Sequence, residues 1–87
     1  MPAFLARVHV TLKPTVNDPQ GLTIRDGLRA LGFLEVEGVR AGKYIEVRLS
    51  AASEAAAWAR VDSMCDKLLA NPIIESYRFE VEQPAEA

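Results

Sequence analysis

The sequence predicts an α+β fold in which two helices lie on one face of an antiparallel sheet. Three observations lead there. Apolar residues alternate one by one over residues 4 to 12, 44 to 49 and 77 to 82, and they recur at helical spacing over residues 19 to 31 and again just before Asn71-Pro72. These patterns also follow one another in an order that lets both helices cover the same sheet face. With 87 residues the chain is expected to form one domain, 1–87, because domains need roughly 50 to 200 residues.

The first strand places Phe4, Ala6, Val8, Val10 and Leu12 on one face and Leu5, Arg7, His9, Thr11 and Lys13 on the other. Pro14 cannot donate a ladder hydrogen bond, so residues 14 to 17 form a loop. Asp18-Pro19 then starts a helix: the carboxylate accepts from orphan amides, and proline loses nothing at the first helical position. Ile24, Gly27, Leu28 and Leu31 share its inner side, and Gly32 supplies a left-handed cap. Gly27 in mid-helix implies that something packs closely there, so that Gly27→Ala is expected to overpack.

From Leu34 to Leu49 the pattern is extended. Val36 and Val39 flank Gly38, where a bulge would restore the facing, and Ala41-Gly42-Lys43 is expected to turn the chain into a hairpin. Ser50 or Ser53 caps the second helix, whose apolar stripe is Trp58, Val61, Met64, Cys65, Leu68 and Leu69. Asn71-Pro72 stops it, and Tyr77, Phe79 and Val81 alternate along a last strand before a tail, 83–87, expected to fray. The resulting order, βαββαβ, is that of a ferredoxin-like sandwich, an antiparallel sheet with two helices on one face.

Composition narrows the function. Hydrophobic residues at 49% and charged residues at 25% suit a globular chain, and 10 Lys and Arg against 12 Asp and Glu leave no cationic excess for nucleic acid. The longest apolar run is residues 55 to 59, far short of the roughly 20 residues of a membrane span. Cys65 is the one cysteine, so no internal disulfide can form; a cytoplasmic location is expected.

Chemistry-bearing groups are sparse. His9 is the sole histidine and faces away from the helices, whereas Cys65 lies on the inner stripe of the second helix, so the two cannot form a nucleophile and base pair. Structural zinc needs about four Cys or His ligands, and Asp62 with Asp66 reads as a solvated pair rather than a magnesium site. Gly32, Gly38 and Gly42 are spaced as cap, bulge and turn, not as a phosphate cradle. Arg25 and Arg29, one turn apart, repel unless a carboxylate or phosphate joins them. No catalytic, cofactor or metal residue is therefore assigned. The sheet's edges and its open face of mixed charges suit pairing with other chains.

Five fragments in order carry a resemblance. They are Val10-Thr11-Leu12-Lys13; Asp18-Pro19-Gln20-Gly21; Leu31-Gly32-Phe33; Val39-Arg40 with Gly42-Lys43; and Cys65 through Leu68-Leu69-Ala70-Asn71-Pro72 to Ile74-Glu75 and Tyr77. Together, over residues 5 to 82, they resemble the PurS subunit family of phosphoribosylformylglycinamidine synthase; Thr15 stands where a glycine is common.

The resemblance implies a non-catalytic subunit in the fourth step of purine synthesis, which makes formylglycinamidine ribonucleotide from formylglycinamide ribonucleotide, glutamine and ATP. It implies partners too: a second copy of the chain, a large synthetase subunit and a glutaminase subunit, with ATP, magnesium and glutamine used by the complex and no cofactor held by this chain. The docking surfaces are expected at Asp18 and Gln20, at Arg40 and Lys43, and at Asn71 and Pro72. An ACT-like regulatory domain binding a small amino acid shares the element order and is the chief rival; a small ferredoxin-like enzyme with His9 as base is a third possibility.

Overall fold

The computed structural model describes residues 1–84. Its elements are β1 (Ala3–Leu12), α1 (Pro19–Ala30), β2 (Gly42–Ser50), α2 (Glu54–Met64), which runs into a π turn over Cys65–Leu69, and β3 (Glu75–Glu82). The strands form an antiparallel sheet of order β2-β1-β3. This is a ferredoxin-like α+β fold with one strand fewer than the sequence pattern suggests.

β1 is central because its inner face is apolar throughout: Phe4, Ala6, Val8 and Val10 are all buried. The register sets Leu49, Val47 and Ile45 opposite Phe4, Ala6 and Val8 on one side, and Val81, Phe79 and Tyr77 opposite Ala6, Val8 and Val10 on the other. The alternation read from sequence thus fixes which side of each strand meets the core, since a slip of one residue would turn every side chain over. Over this face α2 lays Ala57, Val61 and Cys65, all fully buried, while the Trp58 ring lies 4.9 Å from that of Phe79. Ser53, not Ser50, caps α2, its hydroxyl accepting from the Ala56 amide at 3.1 Å.

Three expectations need correction. Residues 34 to 39 do not form a strand, there is no bulge at Gly38, and no hairpin turns at Ala41 to Lys43; Gly42 instead opens β2, paired with Thr11. The outer edge of β2 is left open in the order β2-β1-β3, and Arg29 instead donates to the carbonyls of Leu34 and Val36 at 3.1 and 2.9 Å, which ties this segment to the end of α1. Gly42 is needed for a close approach: a Cβ there would stand 2.5 Å from the Val10 carbonyl oxygen. Secondly, nothing lies within 4 Å of the Cβ that Gly27 lacks, so this mid-helix glycine faces open space. Thirdly, Leu68 leaves the apolar stripe. In the π turn the Ala70 amide reaches back five residues to the Cys65 carbonyl at 2.9 Å, and the wider turn leaves Leu68 84% exposed while Leu69 keeps packing on the core.

The Gly32 cap is as expected, with φ of 105°. The tail read as frayed begins at Gln83, and its last three residues lie outside the described ones. Among α1 residues only Gly21 is buried, so the side read from sequence as inner does not reach the core: Ile24 and Leu31, with Phe33 and Leu34 at the helix exit, stay open. The shape agrees: extents of 51 × 34 × 14 Å and a radius of gyration of 16.8 Å, against about 12 Å for a compact chain of this length.

Candidate interaction site at one end of the sheet

Five of the six residues singled out from sequence converge where β1 ends and β2 and β3 begin or approach it. Asp18, 4% exposed, organises this end. Its Oδ1 accepts from the Gly21 amide at 2.9 Å, the expected cap, and its Oδ2 accepts from the Ala41 amide at 2.7 Å, 23 residues away. These two amides, chiefly that of Gly21, hold the carboxyl below the usual range, with the nearby Arg40 guanidinium adding to them against the opposing effect of burial. Gly21 is obligatory here, since a Cβ would collide with the Val39 carbonyl oxygen.

Arg40 then closes the loop by donating from Nη2 to the carbonyls of Lys13 and Val16 at 2.9 and 3.1 Å. Lys13 in turn donates its amide to the Ile74 carbonyl at 2.9 Å, joining the end of β1 to the start of β3. Lys43 Nζ lies 3.7 Å from Glu75 Oε2, and Glu75 Oε1 accepts from the Asn71 amide at 2.7 Å. The Asn71 side chain accepts from the Ile73 amide at 3.1 Å, shaping the turn that follows the π segment. A hollow of about 230 Å³ lies in the middle, bordered by Asp18, Gln20, Ala41, Lys43 and Glu75. Gln20 lines it. Pro72 is exposed and enters none of these contacts, so it stands apart from the network.

The remaining polar groups are placed as the alternation predicts. His9 is on the open sheet face, its ring centroid 5.1 Å from that of Tyr44, and Cys65 is buried beneath α2 on the other face. Burial, helped by the charge of Asp62, pushes the Cys65 thiol up. Asp62, instead of pairing with Asp66, accepts a 2.7 Å hydrogen bond from the Tyr77 hydroxyl, which is pushed up to about 12 chiefly by that bond. No group of three or more metal-ligating side chains occurs among the described residues. Arg25 finds its partner locally in Asp26, at 3.1 Å.

Sequence reasoning missed Tyr44 as a feature of the open face. Its alternation with Ile45 contained the signal, and the register confirms it directly opposite His9. It missed equally that Asp18 reaches Ala41, for which no local pattern exists.

What the fold and this end of the sheet define first is a class: a small ferredoxin-like chain whose polar residues brace its own corner and whose apolar helix side is left open. Comparison with known proteins specifies the class. Residues 5–83 match the family model described as PurS, phosphoribosylformylglycinamidine (FGAM) synthase. The chain is 49% identical over 79 residues to the PurS subunit of phosphoribosylformylglycinamidine synthase from Synechocystis sp., covering 91% of this chain and 79% of that one. It is 42% identical to the Bacillus subtilis PurS subunit, covering 92% and 94%. Among solved structures it is similar to a chain in the structure of PurLQS from Thermotoga maritima, with 34% identity, a TM-score of 0.86 and coverage of 94% of this chain and 100% of that one.

The chain belongs to the PurS family and is a subunit of phosphoribosylformylglycinamidine synthase, a ligase of purine biosynthesis.

Proposed function

We propose that this chain joins the glutaminase subunit to the ATP-dependent synthetase subunit of the synthase and assists the passage of ammonia between them, working as a dimer or higher oligomer in the cytoplasm. ATP, magnesium and glutamine are used by the complex through its other chains. Ammonia released into water is protonated and ceases to be a nucleophile, so the two reacting centres must be docked and the path between them closed. A rigid adaptor can do this without catalytic groups of its own.

The observation that carries this reading is the open apolar side of α1 and its exit, with Leu31 at 77% and Leu34 at 67% exposure on a chain only 14 Å thick. Large apolar side chains left exposed together on one element mark an interaction site. The PurS chain of Thermotoga maritima, with the same fold, is described in a PurLQS structure, which supports the partners. Asp18, Gln20, Arg40, Lys43 and Asn71 would shape a second contact at the braced end of the sheet, and Pro72 its outer margin. No helix among the described residues is long and apolar enough to cross a membrane.

The test is reconstitution: glutamine-dependent turnover of the synthetase and glutaminase subunits is measured with and without the chain. Turnover that rises severalfold on addition supports the adaptor role. Turnover indifferent to the added chain overturns it.

A further inference from the structure

The chain as a whole is acidic, with 10 Lys and Arg against 12 Asp and Glu, yet the sheet is not evenly charged along its length. Near the start of β1 the register sets Glu46 and Glu80 on either side of Arg7, and Arg48 and Glu82 on either side of Leu5. At the opposite end, around Gly42, the basic residues Lys13, Arg40, Lys43 and Arg78 outnumber the carboxylates of Asp18 and Glu75.

Those two carboxylates are engaged internally. Asp18 is buried on two backbone amides, and Glu75, whose side chain is 16% exposed, accepts from Asn71. The cations are wet by contrast: the Lys43 side chain is 56% exposed at 3.7 Å from Glu75, and that of Arg78 is 71% exposed at 3.9 Å from Glu80. Such long contacts leave most of each positive charge available to a partner.

Two hollows meet at this end. One, of about 390 Å³, opens on the face of His9, Tyr44 and Arg78; the other, of about 230 Å³, is the one bordered by Asp18 and Lys43; both are lined by Val10, Gly42 and Lys43. Lys43 pairs with Val10 on the helix-bearing face, and Arg78 pairs with His9 on the open face, so the cations straddle the sheet. A single small anion cannot reach both sides. An extended chain crossing the end of the sheet can.

We propose that this end of the sheet receives an acidic, extended segment of one of the two larger subunits, its carboxylates meeting Arg78 on one face and Lys43 on the other. This rests on the adaptor reading above and names the chemistry of the contact. Because the cations are solvent-exposed, the attraction is screened by salt and acts strongly on the rate of association.

The experiment measures binding of the full chain to the larger subunits at about 50 and 300 mM salt, for the unaltered chain, Arg78→Glu, Arg78→Gln and, at the other end, Arg48→Glu; circular dichroism confirms that each variant folds. The expected result is affinity at least tenfold weaker for Arg78→Glu, intermediate for Arg78→Gln, unchanged for Arg48→Glu, and a salt dependence that flattens as Arg78 loses charge. Equal binding by Arg78→Glu and the unaltered chain, or equal weakening by Arg48→Glu, overturns the acidic-segment proposal while leaving the adaptor role intact. Failure of the unaltered chain to bind at either salt concentration overturns both.

Discussion

The carboxylate of Asp18 accepts the amide of Ala41 at 2.7 Å, and so ties the first turn of α1 to the residue that precedes β2. The same side chain caps the helix through Gly21, so a single buried acid sets both where the helix starts and where the returning strand enters the sheet.

Asp18→Ala is expected to lower the melting temperature at neutral pH more than the loss of a helix cap alone, because the Ala41 amide is orphaned as well. Since the folded carboxyl is held below its ordinary value of about 3.9, its contribution is fully present above that pH and is lost as pH falls through the folded value. Melting curves of the two proteins between pH 2 and 7 should differ by a constant amount above pH 5 and converge in acid. A gap that persists unchanged at pH 2 would show that the charge is irrelevant.

Tyr77 and Asp62 make the opposite case. The bond favours the neutral phenol, raising Tyr77 to about 12, so its stabilisation is full below the unfolded value of about 10 and disappears as pH rises through 12. Ultraviolet titration should show a late tyrosinate step that Tyr77→Phe abolishes and Asp62→Asn moves to lower pH.

The glycines of α1 should respond with opposite signs. Gly27→Ala enters open space in a helix interior and is expected to stabilise by about 0.8 to 1 kcal/mol, the difference in propensity. Gly21→Ala drives a methyl into the Val39 carbonyl and should destabilise markedly. Urea unfolding of the pair decides it; a destabilised Gly27→Ala would mean that another molecule covers this side of the helix in solution.

Cys65 should resist thiol reagents. It is inaccessible beneath α2 and its thiol is raised by burial, so modification by a disulfide reagent at pH 8 should proceed only at the rate of opening and become fast in denaturant. Rapid labelling of the folded chain would contradict the packing of α2 on β1.

Local pattern by itself determined a good deal of this protein. The period-two runs of β1, β2 and β3 identified the core face, Asp18-Pro19 and Gly32 bounded α1, and ordered fragments pointed to the family, because facing, capping and short motifs are written in neighbouring residues. Tertiary structure alone decided that residues 34 to 39 are no strand, that Gly27 is open while Gly21 and Gly42 are crowded, and that Asp18, Arg40 and Glu75 brace one end of the sheet. Each of these depends on which distant groups the fold brings within reach of one another, which no stretch of neighbouring residues records.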